Sequence, residues 1–336
     1  MKKVLITGAT GQTGSHLCEF LIDNEKDWEI HCTRRWRSSE EHIGKFRDEV
    51  IWHSCEMKDY FNVFNTINKI KPDRIFIYSA SSFVRDSWNS PNDYMIENTA
   101  HLLNVMNSVL MINGVDNESL HVKLSYNPKI FIALSSEEYG KVEWGKQISE
   151  ETPLNPISPY GVSKVAADLL AQQYFLSYGL NVYRFRMFNN EGPKRGHIFV
   201  SGSFVKQAIL MENKIIEPVL HVGDTSSVRD WLFSGDAAEA AWIGLDKCKP
   251  GEVYNVCSET QHTIDELIER IRELSKVDFK IKVDERRMRP SDVRYLYGDC
   301  TKFKKATGWE PKKDFLKDVV PDMMDYWRKK IEKEIT

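Results

Sequence analysis

Tyr160 and Lys164 stand four residues apart in "SPYGVSKVAADLLAQQYF", a stretch that reads as a helix begun at Pro159. That spacing sets both side chains on one helical face, with Cβ atoms roughly 5–6 Å apart. A free phenol titrates near pH ~10. A neighbouring ammonium, or the positive ring of an oxidised nicotinamide, stabilises the phenolate and lowers that value. Such a tyrosine can take a hydroxyl proton as hydride leaves the same carbon. Alone, the spacing describes many ordinary surface pairs. Its weight comes from what accompanies it.

A second group follows the apolar run "KIFIAL" (129–134), where "SSEEYG" places Ser135, Ser136, Glu137 and Glu138 at the end of a strand. Two-residue alternation would point Ser135 and Glu137 to one side and turn Glu138 away into a structural role. A carboxylate there can remove a proton and later return one, which favours a pKa raised by partial burial.

The third group is "VLITGATGQTGSHL", with Gly8, Gly11 and Gly14 in G-x-x-G-x-x-G spacing between a strand and a helix. Glycines let backbone amides approach a pyrophosphate, and a helix N-terminus favours the anion. Thr10, Gln12 and Thr13 share this loop, and Ser79 and Ala80 close the fourth strand beside it. The second strand runs into "TRRWRSS", which offers Thr33, Arg34, Arg35 and Arg37 and no acid. Arginines there suit a 2′-phosphate, so the expected cofactor is NADP. Glu56, after the third strand, is placed to reach the adenine.

The elements that must carry these residues alternate. Strands are read at 3–7, 28–33, 50–55, 73–80, 129–134 and 181–189, with helices at 13–26, 59–70, 97–110 and about 160–177. Near-continuous apolar strands alternating with helices predict an α/β fold, a Rossmann-type doubly wound parallel sheet. After about residue 190 the rhythm changes to a Gly/Pro-rich loop and helices at about 202–212, 263–275 and 314–330, with a short strand "FKIKVD". The expected division is a nucleotide-binding domain at 1–189, completed by about 229–258. A smaller α/β substrate domain takes about 190–228 and 259–336. The polar loop 112–128 receives no role.

At 336 residues, 41% hydrophobic and 28% charged, the chain has the composition of a globular protein. A net charge of −3 gives no basic surplus for nucleic acid. Six scattered cysteines lack metal or disulfide spacing, so reduced thiols and no metal are expected. No run approaches the ~18 apolar residues of a membrane span, and "MKKVLITG" is too short in its apolar part for a leader. The expectation is a cytoplasmic enzyme with no membrane partner.

Over essentially its whole length the chain resembles the extended short-chain dehydrogenase/reductase family of nucleotide-sugar enzymes. "ITGATGQTG", "KPDRIFIYSASSFV", "SSEEYG", "SPYGVSK", "FNNEGP", "GDTSSVRDW", "GEVYNV" and "RPSDVRYLYGD" fall in the family's order. "RRWRSS", "SFVRDSW", "NEGPKRG" and "RPSDV" make it most similar to the GDP-mannose 4,6-dehydratases. The resemblance implies NADP, a GDP-sugar substrate and a homodimer or homotetramer. It implies that Ser135 bonds the sugar 4-hydroxyl beside Tyr160, that Glu137 is the dehydratase glutamate, and that Lys164 holds the nicotinamide ribose. Ser82, Asn189, Arg195, Val200, Arg229, Arg289 and Asp292 fall at substrate-binding positions, where arginine forks suit phosphate. Asn190 departs from the histidine common at its position. Three alternatives stay open: an NADPH-dependent reductase of the 4-keto sugar, another nucleotide-sugar dehydratase or epimerase of the same family, and, more remotely, a non-catalytic NADP-sensing protein.

Overall fold

The computed structural model describes residues 1–116, 118 and 120–335. The first half runs β1 (Lys2–Thr7), α1 (Gln12–Asn24), β2 (Trp28–Arg34), β3 (Ile51–Ser54), α2 (Tyr60–Ile70), β4 (Arg74–Ile77), α3 (Pro91–Ile112), β5 (Lys129–Ser135), α4 (Pro159–Tyr178) and β6 (Val182–Met187). The second continues with β7 (Asn189–Glu191), α5 (Val200–Glu212), β8 (Val219–Val222), β9 (Val228–Arg229), β10 (Trp231–Phe233) and α6 (Ser234–Lys247). It ends with β11 (Val253–Val256), β12 (His262–Thr263), α7 (Ile264–Leu274), β13 (Lys280–Val283), α8 (Thr301–Thr307) and α9 (Val320–Ile335).

Seven strands form one sheet in the order β3-β2-β1-β4-β5-β6-β11, every pairing parallel. This is the doubly wound sheet expected from the alternation. The order reverses between β1 and β4, which opens a crevice beyond the strands' C-terminal ends. One apolar cluster, with Leu17, Phe76, Phe185 and Trp242, fills the face under α1 and α6. The opposite face packs Val63, Val105 and Ala167 from α2, α3 and α4. A third cluster joins Phe204, Leu267, Phe315 and Trp327 around α5, α7 and α9. Cys300, Phe303 and Trp309 return to the first cluster, so the C-terminal third does not pack as one block.

Some boundaries differ from the sequence reading. The fourth strand stops at Ile77; the Tyr78 amide still donates to the Thr7 carbonyl at 3.2 Å, and Ser79–Ala80 lie beyond the paired residues. The last helix begins at Val320 after a single π turn, Phe315–Val319. Helix α6, "SGDAAEAAWIGLDK", was not assigned from sequence; its alanines Ala237, Ala238, Ala240 and Ala241 are all buried. Small residues on so much of its surface let it lie close on the sheet and blur the amphipathic period. In the polar loop 112–128, Asn113 accepts from the Ser125 and Tyr126 amides at 2.8 and 2.9 Å, and residues 117 and 119 lie outside the described set. No helix among the described residues is long and apolar enough to cross a membrane.

Candidate active site

The crevice holds a cavity of about 470 Å³, lined from both the sheet ends and the third cluster. Its floor is the corner where β5 ends. The strand does not continue its alternation past Ser135, because residues Ser136–Glu138 form one turn of 3₁₀ helix. Ser135 and Glu137 line the cavity all the same, through this turn and not through strand geometry. The Ser135 hydroxyl accepts from the Glu137 amide at 3.2 Å, and Glu138 accepts from the Ser135 amide at 2.8 Å. Glu138 is fully buried beneath the turn.

Helix α4 is brought against this corner by two local devices. The Ser158 hydroxyl caps its N-terminus, accepting from the Gly161 amide at 3.0 Å, with Pro159 in the first turn. A Cβ on Gly161 would sit 2.7 Å from the Glu137 carbonyl oxygen. Only glycine lets the helix approach so closely, and that approach puts Tyr160 beside Glu137. Tyr160 and Lys164 are both buried.

The electrostatics are set by desolvation. Burial raises the Glu137 carboxyl above its ordinary value, while Arg229 and Arg289 pull it down and Asp292 pushes it up. Burial raises the Tyr160 phenol too, opposed by hydrogen bonding from Ser135 and by Arg195. Burial lowers Lys164 to about 8, with Glu138 opposing. The Tyr160 phenol thus stands above its ordinary value, where the sequence reading expected Lys164 to lower it. The Lys164 ammonium donates to the Ala133 carbonyl at 2.8 Å and lies 5.9 Å from the Tyr160 ring centre.

On the nucleotide side, Gly8, Gly11, Gln12, Thr13, Gly14 and Ala80 line the cavity. Gly11 is the N-cap of helix α1 and offers no side-chain cap, so the helix's first amides remain open to an anion. A Cβ on Gly14 would meet the Gly8 carbonyl at 2.4 Å, so the tight loop demands glycine there. These features fit a dinucleotide pyrophosphate. Five predicted cofactor residues lie outside the cavity lining: Thr10, Arg34, Arg35, Glu56 and Ser79. The Ser79 hydroxyl bonds the Thr7 hydroxyl at 2.9 Å. Arg34 pairs with Glu40 and lies over the Trp52 ring at 5.1 Å. Arg35 is exposed, and Glu56 faces Arg37 at 4.0 Å.

Ser82, Asn189, Arg195, Val200, Arg229, Arg289 and Asp292 all line the cavity. Arg229 and Arg289 converge on one Asp292 oxygen, at 3.4 and 3.2 Å. Arg195 crosses toward the glycine loop, donating to Gln12 at 3.1 Å and lying 3.5 Å from the Phe199 ring centre. The buried side-chain oxygens of Asn189, Asn190 and Ser227 have no protein partner. All three line the cavity, where unpaired acceptors favour a polar ligand. Ser227 and His42 were not read from the sequence: Ser227 sits inside the quoted "GDTSSVRDW", whereas His42 carries no motif signal.

The sequence profile described as GDP-mannose 4,6 dehydratase matches residues 5–323. GDP-mannose 4,6 dehydratase 1 of Arabidopsis thaliana is 32% identical over 340 residues, covering 96% of this chain and 89% of that one. The GDP-mannose 4,6-dehydratase of Yersinia enterocolitica is 31% identical over 349 residues, covering 93% and 90%. Among solved structures, RMD from Pseudomonas aeruginosa complexed with NADPH aligns with TM-score 0.82 at 24% identity, covering 98% and 100%. dTDP-glucose 4,6-dehydratase from Bacillus anthracis in complex with NAD also aligns at 0.82, at 23% identity and full coverage of both chains.

Proposed function

Because this chain belongs to the GDP-mannose 4,6 dehydratase family, we propose that it converts GDP-mannose to GDP-4-keto-6-deoxy-mannose with NADP as its cofactor. One observation carries the reading: Ser135, Glu137, Tyr160 and Lys164 meet in the cavity that the glycine loop also lines. The cofactor, when bound, supplies the hydride acceptor for C4 and the donor for C6. Gly8, Gly11, Gln12, Thr13 and Gly14 hold its pyrophosphate, Lys164 its nicotinamide ribose, and the exposed Arg35 its 2′-phosphate.

Tyr160, assisted by Ser135, takes the 4-hydroxyl proton. The resulting 4-ketone acidifies the C5 hydrogen, and Glu137 removes it. The same carboxyl then protonates the leaving 6-hydroxyl, so water departs and the carboxylate is restored; reprotonated from solvent, it returns a proton to C5 as C6 is reduced, while Tyr160 releases the 4-hydroxyl proton. A carboxyl raised by burial suits both halves of that work. Arg229 and Arg289 hold the diphosphate, and Asp292 accepts from the ribose hydroxyls. Residues 1–189 with about 229–258 form the cofactor domain in this reading, and the remainder holds the nucleotide sugar.

Incubation with GDP-mannose and NADP+ alone tests the reading: the product loses one water by mass spectrometry and no cofactor is consumed. No mass change, together with stoichiometric NADPH use on a 4-keto sugar, would assign the reductase activity instead. The raised Glu137 carboxyl also fixes a sign. The base is needed ionised, so kcat/KM falls as pH drops through its folded value, and that acid limb lies above 4.5. An acid limb that persists unchanged in Glu137→Gln would remove Glu137 as the base.

The assembly is a homo-oligomer paired through α3 and α4. Val162, Leu169 and Leu176 recur every seven residues along α4 and are 44%, 53% and 72% exposed, an apolar stripe suited to a second copy. Any tetramer needs another contact, for which Trp36 in the arginine loop, 90% exposed, is available. Leu169→Glu is expected to halve the mass seen by sedimentation; an unchanged mass would place the interface elsewhere.

A further inference from the structure

Beneath the candidate active site lies a charged cluster that none of the steps above uses. Arg184 and Arg186, both inward on β6, meet Asp168 of α4 and Glu138 of the corner, and all four are buried. Arg184 donates to Asp168 at 2.7 Å. Arg186 donates to Asp168 at 2.6 and 3.1 Å, to Glu138 at 3.2 Å and to the Tyr139 hydroxyl at 3.1 Å. The cluster sets two guanidinium groups against two carboxyl groups, and burial with Asp168 nearby raises Glu138 to about 8. Buried pairs of this kind contribute little net stability, since desolvation offsets their attraction. Two apolar side chains would do as well for the core, so its geometry is the informative property.

That geometry converges on one backbone group. Glu138 gives one carboxylate oxygen to the Ser135 amide at 2.8 Å and the other to Arg186, which grips Asp168 one helical turn beyond Lys164. An apolar side chain at 138 would take away the partner that this buried amide has in Glu138, at a strand end. The corner would then shift to find one.

We propose that Glu138 is a positioning residue, tying the corner that carries Ser135 and Glu137 to the helix that carries Tyr160 and Lys164 through Arg186 and Asp168. The inference rests on the reading of Ser135, Glu137 and Tyr160 as the reacting groups. Glu138 touches no reacting atom. It fixes where those atoms stand, and displacement of about 1 Å can cost about a hundredfold in rate.

Two double variants isolate the contact. Glu138→Gln/Arg186→Met and Glu138→Leu/Arg186→Met lose the same ion pair, and both leave Arg184 balanced by Asp168. They differ in whether residue 138 accepts from the Ser135 amide. The leucine variant is expected to show kcat about tenfold below the glutamine variant, with KM for the nucleotide sugar within about twofold between them. Equal kcat in the two would overturn the proposal. If the leucine variant does not fold, Glu138→Asp keeps the carboxyl but retracts from the amide by one methylene. Its kcat is expected to fall about fivefold at unchanged KM, and an unchanged kcat overturns the proposal equally. Glu137→Gln in the native background separates the two levels. Normal turnover there sinks the underlying assignment, whereas an inactive Glu137→Gln beside equal double variants sinks only the positioning role.

Discussion

Glu137→Gln is expected to lose about 10³-fold in water elimination while C4 oxidation survives. General acid–base catalysis contributes about 10²–10⁴-fold per group, and Glu137 is asked to act twice in one turnover. The substitution is nearly isosteric in a buried position, so the fold should persist. The decisive reading is isotopic. In heavy water the native enzyme places solvent deuterium at C5, because the proton removed there leaves with the eliminated water and C5 is reprotonated from solvent. The variant should form a 4-keto sugar that keeps both its 6-hydroxyl and its original C5 hydrogen. Deuterium entering C5 at the native rate would show that another group is the base.

Tyr160→Phe is expected to stop the sequence one step earlier, with kcat and kcat/KM both reduced about 10²–10⁴-fold and KM little changed. The ring keeps its edge-on contact with Tyr94 at 6.3 Å, so packing is retained. No keto sugar and no C5 exchange should be detectable. This pattern separates the two residues: one variant accumulates an oxidised sugar, the other leaves GDP-mannose untouched. Native-like activity in Tyr160→Phe would refute its assignment as the proton acceptor.

Much of this was legible in the sequence because it is local. The glycine loop and α4 are continuous segments, and α4 lies within a residue or two of its expected bounds. What failed was geometry crossing between segments. Alternation misread the corner, since a single 3₁₀ turn replaces the strand after Ser135. The Tyr160–Lys164 spacing correctly put the pair on one helix. It said nothing of how deeply both are buried, and burial decides the direction of their pKa shifts. "TRRWRSS" contains no acid, yet the fold brings Glu40 and Trp52 against Arg34. Glu138 and Arg186 are 48 residues apart, and no local pattern announces their contact.

The way the chain is threaded has its own consequence. After β6 it passes to β7, pairs that strand with β10, pairs β9 with β12, and bridges Ile148 to Gly298 and Val228 to Tyr295. These stitches join segments far apart in sequence at several points, and Asn189–Glu191, Arg229 and Trp231 among them line the cleft, so its wall is held at more than one place. For a reaction that lends a hydride to its cofactor and must recover it, such restraint acts as custody. A keto intermediate that escaped would strand the cofactor in its reduced form and end the cycle. Rigid walls around the cleft keep lender and borrower together until the loan is returned.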